Sequence, residues 1–506
     1  MQWLNEVVDK VTKRKPEGKI LIESGASPSG TYHIGHLREV IICDALLLEL
    51  KKRGRLARHI HFVDDLDALR KIPLNVPVGH EKYLGRPLCD IPAPDDSDQS
   101  YADYFFKDFI SSAKTLEVEM EVVRSHKKYR QGFFVPAIEK GLENADKIRS
   151  ILENVSGHRL GDDWSPIQVM EEGYLKKRRF LGIDINTKTI TYEDLEGDTQ
   201  TANYSNGDIK LDWRLDWPAR WWLLAVDVEP AGRDHSTKGG SFDTGLAIDK
   251  NIFGIPGPLP VPYDFVNRAG EHKKMSASQG TGINAAEVME VLQPELVRYF
   301  MLRYEPGKRL FFDSGRGVAS LSDEFSQLLQ KQPRSPLLHF SKVGLKKPVI
   351  SNIPFLLLAE AYQAALKDPS KTIENLKRSE YRGEAETNLQ VIKDELKYVS
   401  KWLEKWAPED IKFELAKQVS STDFSKADKN YLGKLADKIA GAPAGADGEW
   451  FHKAIYDFKD SHGMNPQQLF GPLYRVLIGR ESGPRAGWFL SILPRNWLIK
   501  RLRLEQ

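Results

Sequence analysis

The hydrophobic positions in the first part of the chain predict a strand, a helix and a second strand. Residues 19–23 form a short apolar run typical of a buried strand, and the loop 24–32 is rich in glycine and serine. Residues 33–53, rich in leucine and isoleucine and followed by Gly54, predict a helix. Residues 59–63 predict the next strand. The region is therefore a βαβ unit, in which ligands bind beyond the carboxyl ends of the strands.

Later segments predict more strands and then a helical half. Residues 156–205 are polar, with a strand pattern at 188–192, and are interpreted as an insertion. Segments 226–230 and 263–266 predict two further strands of the sheet, and beyond about residue 290 helical periodicity dominates. The predicted fold class is an α/β Rossmann-type catalytic domain with a parallel sheet, an inserted connective segment and an all-α C-terminal domain.

Composition limits the kinds of partner and the cellular setting. The net charge of the 506 residues is only +2, so any surface for nucleic acid must be a local patch. The two cysteines, Cys43 and Cys89, form no CxxC pair and so support neither a disulfide framework nor a thiolate zinc site. Neither a signal peptide nor an apolar run long enough for a bilayer is recognised, so we expect a cytoplasmic protein without membrane contact.

Two histidines at the predicted start of a helix indicate phosphate chemistry. His33 and His36 are three residues apart and so share one face of the first turn, where free backbone N–H groups already favour phosphate. Gly35 leaves room for a nucleotide against the backbone. Such a pair is more often ordinary surface or core histidine, but its position after a strand and a glycine- and serine-rich loop favours a functional site.

A basic loop far downstream supplies the second part of the pattern. The string KKMSASQG at 273–280 places Lys274 where it would offer a cation to pyrophosphate, with Ser276 and Ser278 as hydroxyl donors and Lys273 as a helper. Alone it would be a solvated basic turn. Displacing pyrophosphate from ATP builds negative charge on phosphoryl oxygens, and donors and cations positioned there stabilise that charge.

The longer strings resemble class I lysyl-tRNA synthetases, over nearly the whole chain. The two short motifs resemble the HIGH and KMSKS motifs of class I synthetases, with Ala277 in place of the second lysine of KMSKS. The strings that carry the closer resemblance are GASPSGTYHIGHLREV at 25–40, DDLDALRKIPLNVP at 64–77, DWRLDWPARW at 212–221 and ESGPRAGW at 481–488.

The resemblance implies roles for residues at matching positions. Catalysis would involve His33, His36 and Lys274; ATP would be bound by Gly35, Gly232, Asp234, Lys274, Met275, Ser276 and Ser278; lysine would be bound by Gly25, Ser27, Asp64, Trp213 and His235; and tRNA would be contacted by Arg480, Arg485 and Trp488. The implied domains are a catalytic domain at 1–155 and 206–290, an inserted segment at 156–205, a stem at 291–350 and an α-helical anticodon-binding domain at 351–506.

Chemistry alone leaves the partner of the lysine ammonium open. A lysine substrate needs an anion near its ε-ammonium and an apolar wall along its methylene groups. Trp213 suits the wall, whereas Asp64, Asp65 or Asp216 could supply the anion. The tryptophans at 217, 221 and 222 are expected mainly in the core, as are those at 402 and 406.

The resemblance implies a lysine–tRNA ligase that uses ATP with Mg²⁺, L-lysine and tRNA(Lys), and a monomer is expected. Some relatives carry a cysteine-ligated zinc in the insertion, but segments 170–173 and 192–197 contain no cysteine, so we expect no bound metal. Two other hypotheses are a small-molecule nucleotidylyltransferase, for which the helical half is unnecessary, and a tRNA-binding paralogue with a regulatory role.

Overall fold

The computed structural model describes residues 1–161, 164–271, 282–343 and 350–505. The chain forms two compact units. The first consists of Met1–Met289, Val297–Phe312 and His339–Gly344, and the second of Glu290–Leu296, Asp313–Leu338 and Leu345–Gln506. The finer division into four regions stays a prediction.

The strands all belong to the first unit. They are β1 (Ile20–Ala26), β2 (Ala57–Val63), β3 (Glu121–Arg124), β4 (Ile167–Glu171), β5 (Tyr174–Lys177), β6 (Arg179–Asp184), β7 (Thr189–Glu193), β8 (Thr199–Asn203), β9 (Ile209–Leu211), β10 (Val228–Gly232), β11 (Leu259–Tyr263), β12 (Val266–Arg268) and β13 (Leu310–Phe312). No strand occurs in the described residues beyond position 312.

Helices occur in both units. They are α1 (Gln2–Arg14), α2 (Ile34–Lys52), α3 (Tyr101–Thr115), α4 (Ser125–Arg130), α5 (Val135–Glu143), α6 (Ala145–Ser156), α7 (Trp213–Leu224), α8 (Arg233–Ser236), α9 (Ser241–Ile248), α10 (Ala285–Val291), α11 (Pro294–Leu302), α12 (Arg316–Lys331), α13 (Pro336–Ser341), α14 (Phe355–Ala364), α15 (Pro369–Leu376), α16 (Arg382–Thr387), α17 (Leu389–Lys405), α18 (Lys426–Ala440), α19 (Gly448–His462), α20 (Pro466–Ile478), α21 (Ala486–Ile492) and α22 (Arg495–Leu502). None of those described is long and apolar enough to cross a membrane.

A five-stranded parallel sheet organises the first unit. Its order is β11–β10–β1–β2–β3, so the chain runs outward from β1 through β2 and β3 and later returns on the other side as β10 and β11. Reversal of the strand order beside β1 opens a crevice at the carboxyl ends of β1 and β10, where ligands bind in such sheets. The predicted Rossmann-type fold is confirmed.

The segment between α6 and α7 is antiparallel. It forms one sheet in the order β5–β4–β9 and another in the order β6–β7–β8, and the strand predicted at 188–192 is β7. Ile167 and Ile190 of these sheets belong to the same buried cluster as Phe62 and Trp221 of the parallel-sheet region. The insertion therefore shares the core of the first unit.

Two predicted strands differ from the observed ones. The segment 263–266 is split between β11 and β12, because the Asp264 carboxylate accepts the N–H of Phe265 at 2.7 Å and also pairs with Arg309. The strand predicted at 226–230 begins two residues later. The N–H of Val226 is still used to end α7, donating to the Trp221 carbonyl at 3.0 Å.

The second unit is helical in its described residues. Its buried side chains include Phe355, Leu396, Trp402 and Leu432, and the Trp402 indole N–H donates to the Ser314 carbonyl at 3.1 Å. Trp402 is thus a core residue, as its spacing predicted, while Trp406 is only partly buried.

Candidate active site

A cavity of about 630 Å³ lies at the carboxyl ends of β1, β2 and β10 in the first unit. It occupies the crevice created where the strand order reverses. Ten residues singled out from the sequence line this one cavity: Gly25, Ser27, His33, Gly35, His36, Asp64, Trp213, Gly232, Asp234 and His235. The structure thus brings these residues together, and their individual roles stay predictions.

The histidine pair caps the helix that begins beside the cavity. His33 precedes α2, and its Nδ1 accepts the N–H of Gly35 at 3.1 Å; Nδ1 of His36 accepts the N–H of His33, also at 3.1 Å. In the tautomer in which Nδ1 accepts these bonds, the ring hydrogen lies on Nε2; Nδ1 of His36 also lies 3.3 Å from the His33 carbonyl oxygen. Helix capping through Nδ1 is therefore compatible with a hydrogen-bond donor at Nε2 of each ring.

A row of aromatic rings packs against His36. The ring of Tyr32 lies 4.8 Å from that of His36 and 4.6 Å from that of Phe109, and Phe109 lies 5.1 Å from His61, all measured between centroids. Tyr32, Phe109 and His61 are almost fully buried. Close packing of this kind limits the rotamers available to His36.

Two glycines make room for the His33 ring. A Cβ at position 35 would lie 2.8 Å from Cε1 of His33, and a Cβ at position 282 would lie 2.4 Å from its Cβ. The backbone beside Gly282 also pairs with the start of α2, since the N–H of Ile34 donates to the Ile283 carbonyl at 2.9 Å. Larger residues at 35 or 282 would displace the imidazole.

The opposite wall of the cavity comes from the end of β10. Gly232 precedes α8, and a Cβ there would lie 2.7 Å from Oδ1 of Asp234. Only glycine allows this carboxylate so close to the backbone. A carboxylate at a strand end can accept hydrogen bonds from two neighbouring hydroxyls, as a ribose would offer. We call the following residues the phosphate end of the cavity: His33, Gly35, His36, Gly232 and Asp234.

An aromatic wall borders the rest of the space. The ring of His235 stands edge-on to the indoles of Trp213, at 6.1 Å, and Trp217, at 5.4 Å, between centroids. Trp217 was expected in the core. It is only 9% exposed, and it also lines the cavity. Trp221 is fully buried and Trp222 partly so.

The three aspartates considered for the anion occupy different settings. The carboxylate of Asp65 accepts from Arg124, Ser125 and His126 and is not part of the cavity lining. Asp216 accepts from the Tyr129 hydroxyl at 2.7 Å and from Lys210 at 3.0 Å. Asp216 and Asp64 both line the cavity, and Asp64 is held by longer contacts to Arg220, the shortest at 3.2 Å.

Buried charges surround Asp64 and Asp216. Arg220 lies within 4 Å of three carboxylates, with Nε 3.7 Å from Glu23 and 3.8 Å from Asp216. Lys210 bridges Asp216 and Asp67, at 3.0 Å from each. Together with the nearby Glu229, these groups are named the charged floor: Glu23, Asp64, Asp67, Lys210, Asp216, Arg220 and Glu229.

Burial and mutual attraction shape the pKa values of the floor. Burial raises the pKa of Asp64 to about 7, although the charge of Arg220 acts to lower it. Burial acts to lower the pKa of Lys210, but the carboxylates of Asp216 and Asp67 raise it above its ordinary value. Lys210 and Arg220 are therefore permanent cations, while the carboxyl groups of Glu23, Asp64 and Glu229 retain protons more readily than in water.

Part of the predicted site lies outside the described residues. Lys274, Met275, Ser276 and Ser278 all fall between the described ranges 164–271 and 282–343. Their predicted contacts with ATP stay predictions.

Comparison with known proteins identifies the family. Residues 1–342 match the model of the class I (K) tRNA synthetases. The chain belongs to that family. Among curated proteins it is similar to "Lysine--tRNA ligase 1" of Methanosarcina acetivorans, at 34% identity over 99% of this chain and 98% of that one. It is also similar to the lysine–tRNA ligases of Archaeoglobus fulgidus, at 34% identity and 99% of both chains, and Pyrococcus horikoshii, at 32% identity and 100% of both.

Sequence reasoning missed several residues of this class I synthetase that line the cavity. Lys210, Arg220, Glu39 and Tyr263 all do so, and the Tyr263 hydroxyl donates to Glu39, which also accepts the N–H of Gly25 at 2.9 Å. Arg220 stands within the string 212–221 quoted for the resemblance, so that string offered a signal. Glu39 likewise lies within the string 25–40, but nothing in that string indicated a function for it. Nothing local distinguished Lys210.

In the second unit of the synthetase, the three residues proposed for tRNA differ in exposure. Arg480 and Arg485 are exposed, whereas Trp488 is only 3% exposed and its indole lies in the core. Three rings on α19 and α20 form a row: His452 and Tyr456 have centroids 4.4 Å apart, and Phe470 lies 5.8 Å from Tyr456. His452 is exposed, and the other two are partly buried. The neighbouring Tyr474 donates its hydroxyl to the Pro484 carbonyl.

The described residues of the synthetase contain no group of three or more histidine, cysteine, aspartate or glutamate side chains arranged to hold a metal ion. In the insertion, Glu171 pairs instead with Arg178, and Asp194 accepts backbone N–H groups of its own turn. Zinc-free folding of the insertion stays a prediction.

Proposed function

We propose that this chain is a lysine–tRNA ligase. It activates L-lysine with ATP to lysyl-adenylate and pyrophosphate and transfers the lysyl group to the 3′ end of tRNA(Lys). One observation carries the proposal: a single cavity joins the helix-capping histidine pair to a set of buried carboxylates. The first suits ATP and the second suits an ammonium, and relatives named lysine–tRNA ligases match the full chain.

The phosphate end works through hydrogen-bond donors held in place before the reaction. Nε2–H of His33 and of His36 donate to phosphoryl oxygens as the lysine carboxylate attacks the α-phosphorus and pyrophosphate leaves. Gly35 keeps the backbone close, and Asp234 accepts from the ribose hydroxyls beside Gly232. Lys274 supplies a cation to the leaving pyrophosphate, with Met275, Ser276 and Ser278 beside it.

Magnesium fits as a companion of ATP. Its preferred ligands are oxygens, and it commonly keeps water and phosphate in its shell. Bound Mg²⁺ would neutralise phosphate charge, and the two imidazoles at the start of α2 would orient the same oxygens. The backbone N–H groups of residues 33–36, expected from the sequence to be free for phosphate, already have acceptors within the chain.

The lysine binds with its ammonium toward the charged floor. Gly25 and Ser27, at the end of β1, border the amino-acid backbone, while Trp213 and His235 cover the methylene groups. Asp65 is occupied by Arg124 and His126 outside the cavity lining. Of the two aspartates that line the cavity, Asp64 is the better partner for the ε-ammonium, because its contacts to Arg220 are longer than those of Asp216 to Tyr129 and Lys210.

For the tRNA, we propose that the exposed side chains Arg480 and Arg485 contact the RNA. Unpaired bases stack on aromatic and guanidinium planes. The row formed by His452, Tyr456 and Phe470 suits this purpose better than the buried Trp488. We propose that the enzyme acts as a cytoplasmic monomer.

ATP–pyrophosphate exchange with each amino acid, with and without total tRNA, tests the proposed activity. Exchange that depends on lysine alone is the expected result. Exchange with glutamate, arginine or cysteine would keep the class and overturn the substrate. A folded protein that binds tRNA but supports no exchange would point to a regulatory paralogue.

A further inference from the structure

One carboxyl group lies beneath the cavity and has no hydrogen bond. Glu23 is in β1, is 0% exposed, and neither of its carboxylate oxygens has a hydrogen-bond partner among the described residues. It does not line the cavity. Arg220, which does, lies between Glu23 and Asp64, with its Nε 3.7 Å from Glu23 and its Nη1 3.2 Å from Asp64. Arg220 therefore couples the charge of Glu23 electrostatically to the charge of Asp64 in the cavity.

Carboxyl groups outnumber cations around Glu23. The end of β2 contributes Asp64, α7 contributes Asp216 and Arg220, β10 contributes Glu229, and α2 contributes Glu39 and the Cys43 thiol. Counting Asp67 and Lys210 as well, six carboxyl groups face two cations: Glu23, Glu39, Asp64, Asp67, Asp216 and Glu229 against Arg220 and Lys210. So many charges cannot all stay ionised in a buried site, because unpaired buried charge is costly.

Burial raises the pKa of both Glu23 and its neighbour Glu229, that of Glu229 well above its ordinary value. Of the two, Glu23 is better suited to hold a proton, because its oxygens accept no hydrogen bond. The other five carboxyl groups each have a partner: Asp64 pairs with Arg220, Asp67 and Asp216 with Lys210, Glu229 with two indole N–H groups, and Glu39 with Gly25 and Tyr263. Hydrogen bonds to a carboxylate favour its charged form. Glu229 is also the lateral neighbour of Glu23, since Ile22 pairs with Val228 in the parallel register.

We propose that Glu23 holds a proton while the side-chain end of the cavity is empty and loses it to solvent when the lysine ε-ammonium binds. The inference rests on the proposed function and adds a coupling between lysine affinity and pH. The substrate ammonium keeps its charge throughout. One proton leaves Glu23, one cation enters, and the total charge of the buried cluster is unchanged.

The electrostatics of the cluster agree with this exchange. Burial raises the pKa of Glu23 to about 8, Arg220 opposes that shift, and Asp64 and Asp216 add to it. A second cation next to Asp64 would act as Arg220 does and lower the pKa of Glu23. Proton release on binding therefore means that lysine binds more tightly as pH rises through the neutral range.

Titration calorimetry of the full chain with lysine tests the exchange directly. The number of protons released is obtained by repeating the titration at about pH 7 in buffers of different ionisation enthalpy. We expect the wild type to release on the order of one proton per lysine. Glu23→Gln should release clearly fewer protons than the wild type, and its lysine affinity should change less with pH; the release that remains comes from Asp64, whose pKa burial raises to about 7.

Asp249→Asn is the matched control. Asp249 lies in the same unit, is 0% exposed, has no hydrogen-bond partner among the described residues and has a pKa raised to about 8 by burial. It does not line the cavity. This variant should release as many protons as the wild type. If it released fewer, buried carboxyl groups in general would be responsible, and the assignment to Glu23 would be wrong.

Other outcomes separate this inference from the proposed function. Lysine binding without proton release, or equal release by Glu23→Gln, overturns the inference alone. Failure of the wild type to bind lysine, with or without ATP, overturns both. If Glu23→Gln does not fold, Glu23→Asp retains the carboxyl group at a greater distance from Arg220 and should shift the pH at which affinity changes; an unchanged profile would contradict the inference.

Discussion

The phosphate end and the charged floor of the same cavity are built in opposite ways. The phosphate end uses two helix-capping imidazoles, two glycines and the Asp234 carboxylate on two short runs of chain, 33–36 and 232–234. The charged floor collects buried acidic and basic groups from β1, the end of β2, β9, α7 and β10. The comparison implies that the first end stabilises charge that develops during reaction, whereas the second selects a substrate that is already charged.

The largest expected effect comes from the imidazoles of the phosphate end. His33→Ala should lower the rate of lysine-dependent pyrophosphate exchange about a hundredfold or more, because it removes a donor to developing charge. Steady-state exchange at saturating lysine and ATP measures the loss.

His33→Asn serves as its control. Asparagine is a good residue to cap a helix, so the thermal stability lost by alanine, on the order of 1 kcal/mol, should be regained. The rate should remain low. Recovery of activity by asparagine would mean that His33 acts only as a cap.

The next effect concerns the floor. Asp64→Asn should raise the KM for lysine roughly ten- to hundredfold with only a small change in kcat, because it weakens a charge-assisted contact made before the reaction. Exchange kinetics with varied lysine measure both parameters. Asp65→Asn, which disturbs Arg124 and His126 instead, should lower thermal stability and leave the KM unchanged. Equal effects on the KM would remove the distinction between the two aspartates.

A smaller effect tests the geometry of the phosphate end. In Gly232→Ala the new Cβ would lie 2.7 Å from Oδ1 of Asp234 and displace that carboxylate. The KM for ATP should rise about tenfold, which exchange at varied ATP would detect. Gly182→Ala, where a Cβ meets nothing within 4 Å, should leave the KM for ATP unchanged. An unaltered KM in Gly232→Ala would argue against ribose binding by Asp234.

Stability should also depend on two buried histidines of β2, His59 and His61, whose rings both contact the Ser24 hydroxyl. Burial lowers the pKa of both His59 and His61 from 6.5 to about 3, so the folded protein keeps them neutral while the unfolded chain takes up protons below pH 6.5. Stability from these groups is present above that pH and declines as pH falls. Between about pH 7 and pH 5 the loss is about 2 kcal/mol for each histidine.

Urea unfolding at the two pH values measures this loss, and His59→Gln should make the decline smaller. An identical decline in the variant would place the titration elsewhere.

The smallest effect is expected in the helical unit. Arg485→Ala should raise the KM for tRNA in aminoacylation a few-fold, since one exposed arginine contributes only part of an RNA contact. Exchange without tRNA should be unchanged. Trp488→Phe should alter stability but not the KM for tRNA, because Trp488 is buried. A larger tRNA effect from Trp488→Phe than from Arg485→Ala would reverse the assignment.

The parts of the site predicted from sequence are those defined by local backbone. His33, Gly35 and His36 are consecutive or nearly so, and a strand, a glycine-rich loop and a helix start determine their geometry together. The Rossmann-type sheet was predictable for the same reason, since apolar runs and glycines mark its first units.

The charged floor could not be predicted in this way. Lys210 and Asp67 are far apart in sequence and are brought together by the antiparallel segment that contains β9. In the sequence, Glu23 is simply the polar residue that ends an apolar run. Long-range pairing decides which buried charges find partners. Trp488 illustrates the same limit, because an indole in a glycine- and arginine-containing turn can lie either at the surface or in the core.

The most direct test of the central claim is to identify which tRNAs the enzyme charges. Total tRNA is incubated with enzyme, ATP and lysine, oxidised with periodate, and sequenced to find the 3′ ends that acylation protected. Protection of tRNA(Lys) alone, dependent on lysine, is the predicted result. Protection of tRNAs for other amino acids would contradict the assignment as a lysine–tRNA ligase. So would protection of no tRNA at all by an enzyme that binds tRNA.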